Sequence, residues 1–545
     1  MPELQFKGKE FVYNHHLSVP FRPLIPDAAK SIVEKGQAAK LDGNLVIHGD
    51  NLHALKALLP MYAGKVDCIF IDPPYNTGNE GWCYSDAVNA PYIKEWLDSN
   101  PVNKDDMLRH DKWLTMMYPR LRLLHELLAD TGIFWVTLDD NEVHHARAIL
   151  NEVFGEQNFL ANVIWEKGDS PRMDAEYFSV RHDSLICYAK NIDEVLFNRL
   201  HSEDGEPPEH YDKVDEDGRN YYLKPLRAMG GSGESRASRP NLYYALVAPD
   251  GSDVFPKMRD GQDGAWRWGK DKAVKEAARI EWKQSNNNWT PYYRIFADAG
   301  TGRPPETIFY NVDAGSSRSA KAEIKKIFFF FFAFDTPKPT ELIKLILRIS
   351  TNQHSLVLDS FAGSGTTAHA VMQLNADDGG ERRFILVEGE KYADDVTAER
   401  VRRVIQGYKF TGKQKTELLR EPVNFTALKN SHKLMAQVEA IENLHGHEYD
   451  KITKTVKDDT LLVVGEKDVQ DKVDGLGGTF TYCTLGDPID LEGLLSGSKL
   501  PSFEQIGGWL YNTATNEAFD PANAKSNEFY LGESAGYNVW LYYKP

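Results

Sequence analysis

Val66-Asp67-Cys68-Ile69-Phe70-Ile71-Asp72-Pro73-Pro74-Tyr75 is an apolar run that breaks at an aspartate and two prolines. A short run of this kind reads as a buried parallel strand, and ligands bind outside the carboxyl ends of such strands. The prolines fix their backbone and donate no N–H, so the Asp72 carboxylate and the Pro73 carbonyl both stay available as acceptors. A planar exocyclic NH2 has two hydrogens to offer such a pair. Tyr75 presents a flat face on which an extruded base can stack, an interaction worth roughly 1–3 kcal/mol. Taken alone, the same residues also describe a strand that ends in a stiff turn with a solvent tyrosine.

A second stretch narrows the choice. Ser355-Leu356-Val357-Leu358-Asp359-Ser360-Phe361-Ala362-Gly363-Ser364-Gly365-Thr366-Thr367-Ala368 reads as strand, glycine turn and helix start. Gly363 and Gly365 remove side chains where backbone must approach a ligand. A helix opening near Thr366 offers unpaired N–H groups and the positive end of its dipole. Arg383-Phe384-Ile385-Leu386-Val387-Glu388 follows as a strand with an acid at its tip, where a doubly wound sheet reads ribose hydroxyls. Gly363, Gly365, Ala368 and Glu388 also satisfy the dinucleotide fingerprint of NAD-dependent enzymes. Phe361, Asp359 and the Asp-Pro-Pro-Tyr strand in one chain favour a different reading.

Together these motifs resemble the DNA amino-methyltransferases that use S-adenosylmethionine and act on adenine N6 or cytosine N4. The resemblance implies that Asp72, Pro73, Pro74 and Tyr75 hold the target amine. It implies that Asp359, Phe361, Gly363, Gly365, Thr366 and Glu388 hold the cofactor. The catalytic motif precedes the cofactor motif, which is the permuted, β-class order. The expected fold is α/β, a permuted Rossmann-like sheet of the S-adenosylmethionine-dependent methyltransferase type, with an inserted target-recognition domain and a small α+β C-terminal domain.

The permutation can be followed strand by strand. Leu45-Val46-Ile47-His48-Gly49-Asp50 corresponds to the third strand of the parent fold, with Asp50 against the cofactor's adenine by resemblance. A helix over residues 51–59 returns to the Asp72 strand. A helical stretch over 112–129, kinked or restarted at Pro119, leads to a strand at 132–138 and a polar tip at 139–142. Residues 162–165 and 185–189 fit an antiparallel edge hairpin. In Thr336-Pro337-Lys338-Pro339-Thr340, proline and threonine suit a helix start. By resemblance this segment closes over the methionine end of the cofactor, with Lys338 or the adjacent backbone as the contact.

The expected divisions are an N-terminal arm (1–40), a catalytic half (41–195), a target-recognition domain (196–330), a cofactor-binding half (331–424) and a C-terminal interaction domain (425–545). The inserted domain opens with an acidic, proline-containing stretch at 203–209. From Arg219 to Lys326 it carries 19 Lys and Arg against 12 Asp and Glu, a net of +7 in a chain of −17. This basic island is interleaved with Tyr221, Tyr222, Tyr243, Tyr244, Trp266, Trp268, Trp282, Trp289, Tyr292 and Tyr293. It fits a surface that grips phosphates and meets bases, and equally a small domain with a solvated face. Arg236, Arg239, Arg267 and Lys270 are the candidates for DNA contact.

Several stretches, at 72–78, 113–121, 264–268 and 334–339, resemble the modification subunits of type III restriction systems. That likeness implies double-stranded DNA as substrate and a restriction subunit or a second copy as partner. Ser360 departs from the family's usual proline, and the five phenylalanines at 328–332 have no counterpart in it. Four scattered cysteines, Cys68, Cys83, Cys187 and Cys483, suit a reducing, cytoplasmic compartment. None stands in a metal-ligand pair, no base beside Cys68 suggests a nucleophile, and His15-His16 and His144-His145 read as surface residues. No metal is expected. No apolar run is long enough for a membrane span, and the polar, proline-broken N-terminus does not read as a signal peptide.

Overall fold

The computed structural model describes residues 3–78, 108–200, 211–228, 234–258, 260–285, 288–296, 302–328, 334–423, 429–457, 460–489, 501–515, 517–534, 536 and 538–543. Cys83, the acidic stretch 203–209 and Phe329 to Phe332 lie outside these residues. The chain divides into two compact units, residues 1–198 with 306–545, and the insertion Arg199–Pro305.

The larger unit is built on a ten-stranded mixed sheet. Across the sheet the strands are Leu24–Ile32, Phe480–Leu485, Leu45–His48, Arg383–Glu388, Leu356–Asp359, Val66–Ile71, Leu128–Leu138, His182–Ala189, Phe159–Glu166 and Ile308–Phe309. The six from Phe480–Leu485 to Leu128–Leu138 are mutually parallel. Their side chains are almost all buried, which is why they read as unbroken apolar runs rather than alternating ones. His182–Ala189 then turns antiparallel and makes the expected hairpin with Phe159–Glu166. Two segments late in the chain, Leu356–Asp359 and Arg383–Glu388, slot between Leu45–His48 and Val66–Ile71, which are neighbours in sequence. That is the permutation read from the motifs.

The helices pack on this sheet. Asn51–Tyr62 starts where the Asp50 carboxylate accepts the N–H groups of Leu52 and His53 at 3.0 and 3.2 Å. Arg109–Leu127 is one helix containing Pro119, and it neither ends nor restarts there. Thr340–Ser350 has Pro339 at its N-cap but no cap from its own threonine. The Glu323 carboxylate, borrowed from the helix Ser317–Phe328, accepts the Thr340 N–H at 3.3 Å instead.

Three expected boundaries move. The insertion ends at Pro305 rather than 330, because Ile308–Phe309 joins the main sheet beside Phe159–Glu166. Phe480–Leu485 pairs in parallel with Leu45–His48, and Leu24–Ile32 pairs with Phe480–Leu485, so arm and tail both extend the catalytic sheet. A cut at 425 would also split a three-stranded antiparallel sheet of Gly407–Pro422, Thr460–Asp474 and Lys451–Lys457. The remaining C-terminal elements are the helix Phe503–Thr515 and the antiparallel pair Tyr530–Glu533 with Asn538–Trp540. His15 and His16 are buried rather than at the surface, and burial pushes His16 down to about 4.

Candidate active site

Val66–Ile71 and Leu356–Asp359 are parallel neighbours, with Leu358 opposite Ile69. The turn 72–75 and the glycine turn 361–365 therefore leave the same edge of the sheet from adjacent strands. Strand order reverses between these two, which is the switch point at which doubly wound sheets bind ligands.

Lys338 ties the two turns together. Its ammonium forms an ion pair and hydrogen bond with the Asp72 carboxylate and lies 5.1 Å from the centre of the Tyr75 ring. Its carbonyl accepts from Thr366 Oγ1 at 3.2 Å. The resemblance sets this segment against the cofactor; here the Lys338 ammonium sits on the Asp72 carboxylate. Burial raises the Asp72 pKa, and the charge and hydrogen bond of Lys338 oppose that rise.

Tyr75 is no solvent tyrosine. Its hydroxyl lies 2.9 Å from Thr137 Oγ1 and donates to Asp183 Oδ2 at 3.2 Å, while Asp183 also takes the Lys167 ammonium at 2.5 Å. Burial lifts the phenol well above its ordinary range. Trp113 Nε1 donates to the Pro74 carbonyl at 2.7 Å. Among the described residues nothing donates to the Pro73 carbonyl.

Behind the turn, Asn76 adopts a left-handed backbone with φ of 59°, rare for a side-chain-bearing residue. It is held there by Nδ2, which donates to Glu142 and, at 3.1 Å, to the Arg109 carbonyl. The fully buried Glu142 also faces Nδ1 of His110 at 2.6 Å and of His145 at 3.0 Å. These three side chains are close enough to hold a metal ion. The Arg109 Nε also donates to His110 Nε2 at 3.2 Å. The geometry is that of a hydrogen-bonded brace, and His145 belongs to it rather than to the surface.

On the other strand, Asp359 is held inside the turn. Its carboxylate accepts from Thr367 Oγ1 at 2.5 Å and from the Phe361 N–H at 3.0 Å, and burial raises it to about 7. Gly363 and Gly365 have φ of 51° and 76°. A Cβ on Gly365 would meet the Thr397 carbonyl oxygen at 2.9 Å, and one on Gly363 would meet the Phe334 ring at 3.0 Å. Glu388 is spent on this loop, accepting the Gly363 N–H at 2.7 Å and the Glu390 N–H at 2.9 Å. Asp50 stands at its strand tip as helix cap, with Arg120 3.6 Å away. Ser360 offers its carbonyl to Asn51 Nδ2 at 3.0 Å, so the exchange of proline for serine leaves the turn anchored.

Sequence reasoning missed the buried scaffold around these motifs. Arg400 bonds Ser364, Thr366, Thr340, Glu323 and His369, joining the glycine turn to the helix start after Lys338. Arg120 donates to Asn51 Oδ1 at 2.6 Å. Arg120 shares its helix with Arg109, Asp111, Lys112, Arg122 and Glu126, so no local pattern singles it out.

The insertion is a separate matter. Its strands Ile280–Ser285, Asn288–Phe296, Asn220–Pro225 and Lys213–Val214 form an antiparallel sheet. Trp266, Trp268 and Tyr221 are buried, Trp266 donating to the Tyr244 carbonyl at 2.8 Å, so they are core rather than base-meeting groups. Arg236 is exposed, pairs with Asp263 at 3.1 Å and stacks on Tyr243 at 4.2 Å. Arg239 and Arg267 are exposed too, and Arg267 Nε donates to the Arg227 carbonyl at 3.2 Å. Lys270 opens the short helix Lys270–Lys275. Over Arg199–Pro305 as a whole, 17 Lys and Arg meet 17 Asp and Glu, because the acidic residues up to Asp217 cancel the island.

A permuted Rossmann-like sheet with an acidic proline turn and a glycine turn flanking its switch point defines an α/β protein of the methyltransferase type. The family model for DNA methylases matches residues 66–399, so the chain belongs to that family. It is 31% identical over 432 residues to the type III restriction-modification enzyme StyLTI Mod subunit of Salmonella typhimurium, covering 74% of this chain and 62% of that one. It is 32% identical over 379 residues to the EcoPI Mod subunit of Escherichia phage P1, covering 64% and 58%. The type II methyltransferase M.KpnI of Klebsiella pneumoniae is 31% identical over 354 residues, covering 62% and 79%. The chain thus spans about three fifths of the length of the two Mod subunits.

Proposed function

We propose that this chain transfers a methyl group from S-adenosylmethionine to the exocyclic N6 amine of an adenine flipped out of duplex DNA, as the modification enzyme of a restriction-modification system. The observation that carries the reading is the adjacency of the Asp72 turn and the glycine turn, bridged by Lys338. The likeness to type III Mod subunits supports DNA as substrate and a restriction subunit or a second copy as partner.

The residues present fit the cofactor. Gly363 and Gly365 keep the loop free of Cβ atoms that would meet the Phe334 ring and the Thr397 carbonyl oxygen, and the helix Thr366–Asp378 opens directly behind them. Gly363, Gly365, Thr366 and Phe361 would line its site, with Asp50 and Glu388 at the tips of the next two strands. When bound, S-adenosylmethionine supplies an electrophilic methyl on a sulfonium.

The chain's own part is to hold the nucleophile. Inside a duplex the amine is paired and unreachable, so the base must be extruded at a cost of a few kcal/mol. Stacking on Tyr75 and hydrogen bonds from the amine to Asp72 and the Pro73 carbonyl offset that cost. The same two acceptors draw lone-pair density onto the nitrogen, and they strengthen as positive charge develops there. The buried thiol of Cys68 is pushed up, away from thiolate, so Cys68 is unsuited to act as a nucleophile. Arg236, Arg239, Arg267 and Lys270 are proposed to meet the duplex.

Asp72→Ala tests this reading. It removes a charge-assisted hydrogen bond worth roughly 1.5–3 kcal/mol, so methylation of duplex DNA, followed with labelled cofactor, should fall at least tenfold while calorimetric cofactor affinity holds. Undiminished turnover in that variant would exclude the role. Cytosine N4 is the second reading, because its amine presents the same two hydrogens to the same acceptors.

A further inference from the structure

Asp72 does two jobs that conflict. As the acceptor for a neutral amine it must be ionised and open, yet in the free protein its carboxylate is largely buried and already engaged. The group that engages it is an ammonium, which offers N–H donors on a compact tetrahedral nitrogen, much as the target amine offers two on a planar one. This ammonium lies 5.1 Å from the centre of the Tyr75 ring, the face on which the base is proposed to stack. It is largely buried, with a side-chain exposure of 11% against 24% for Asp72. Its backbone is anchored, the Lys338 carbonyl accepting from Thr366 of the glycine turn at 3.2 Å.

We infer that Lys338 is a positioning residue whose ammonium occupies the seat of the target amine in the free enzyme, keeps Asp72 ionised there, and is displaced when the flipped base enters. The inference rests on the reading of Asp72 given under Proposed function and deepens it. Physically, a buried carboxylate without a partner takes up a proton, and a protonated Asp72 is a weaker acceptor that no longer offsets the positive charge growing on the amine. Lys338 prevents this at the moment when no substrate is present to do so. Once the base is seated, the neutral amine and the ammonium compete for the same oxygen, and an ammonium left in place would repel the positive charge that grows on nitrogen. Displacement removes the conflict.

The other groups facing Asp72 sharpen this role. Burial raises its pKa, Asp183 raises it further, and the Tyr75 hydroxyl and Lys338 lower it. Asp359, Tyr392 and Tyr75 feel the Asp72 charge in turn. Asp183 is itself neutralised by Lys167 at 2.5 Å. Lys338 is therefore the one cation in direct contact with Asp72 among the described residues.

The test compares wild type, Lys338→Met and Lys338→Arg in steady-state methylation of duplex DNA as a function of pH. The limb of kcat/KM reports the free enzyme and that of kcat the substrate complex. In Lys338→Met the acid limb of kcat/KM should move up by about one pH unit or more, the size of effect an adjacent opposite charge exerts. The acid limb of kcat should stay with wild type, because the ammonium has already left in that complex. Lys338→Arg, which keeps the charge, should keep the wild-type kcat/KM limb. Coincident kcat/KM limbs for wild type and Lys338→Met, or equal shifts in kcat and kcat/KM, overturn the inference while leaving the assignment of Asp72 intact. Absence of methyl transfer by wild type on any DNA would instead remove the reading on which it rests.

Discussion

Two residues at the site carry opposite demands on shape, and each makes a prediction. Gly365 needs its missing side chain: its φ is 76°, and the Thr397 oxygen lies 2.9 Å from where a Cβ would stand, which leaves no room for alanine. Gly365→Ala should cost about 1–2 kcal/mol in backbone strain alone, lower the melting temperature, and weaken calorimetric cofactor affinity; unchanged affinity would contradict the placement of the cofactor. Tyr75 needs both its parts, since its ring faces the Lys338 ammonium and its hydroxyl is fixed by Thr137 and Asp183. Tyr75→Ala should lose roughly 1–3 kcal/mol of stacking, seen as a rise in KM for DNA, whereas Tyr75→Phe keeps the ring and should lose less. These residues are legible in the sequence because their chemistry is local. Glycine at a strand end and proline after aspartate declare a turn and its free acceptors. Lys338 is not legible in the same way, because its partner lies far away in the sequence and no local pattern says which of two neighbouring turns an ammonium meets.

Elements are held in place by groups that sequence periodicity treats as noise. Arg400 is almost fully buried and reaches the glycine turn, the helix Thr340–Ser350 and Glu323 on Ser317–Phe328. Against the burial that raises it, Arg400 together with His369 and Thr340 holds the Glu323 carboxyl down to about 2. Arg400→Met leaves that carboxylate without its cation, and breaking a buried pair from one side costs about 3–5 kcal/mol. The expected result is a fall in melting temperature together with weakened cofactor binding, since one residue supports both loops. Pattern reading finds the strands and most helices, because burial on both faces leaves continuous apolar runs. It places the cap on the threonine of Thr336-Pro337-Lys338-Pro339, whereas Pro339 stands at the N-cap and the carboxylate that accepts the Thr340 N–H comes from another helix. Proline at 119 is expected to kink or restart Arg109–Leu127; the helix does not restart there, and Pro119 itself is buried.

On the scale of the whole molecule, a strand from residues 480–485 completes the edge beside Leu45–His48, whose tip is Asp50. Cys483 and Tyr482 are buried there. Removing residues from 475 onward should therefore strip the cofactor side of the sheet and unfold the protein rather than release a stable catalytic core, as limited proteolysis and circular dichroism of the truncated chain will show. Sequence alone puts a separable domain there, because one strand added in parallel from far along the chain leaves no local mark. The order of the sheet's centre, by contrast, follows from two motifs and their sequence order. Stability should also depend on pH through Asp359. Its folded pKa of about 7 lies above the ordinary value near 3.9, so between about pH 4 and 7 the folded state holds a proton that the unfolded state has lost. Its contribution is thus present at low pH and is lost as pH rises through the folded value. Asp359→Asn should flatten that slope in thermal melts taken across this window. The central claim is that Asp72 and Pro73 seat an adenine amine beside a methyl donor, and one measurement reaches it most directly: nucleoside analysis by mass spectrometry of duplex DNA incubated with the purified protein and S-adenosylmethionine. The account predicts N6-methyladenine with wild type and its loss with Asp72→Ala; N4-methylcytosine, or no methylated base at all, would contradict it.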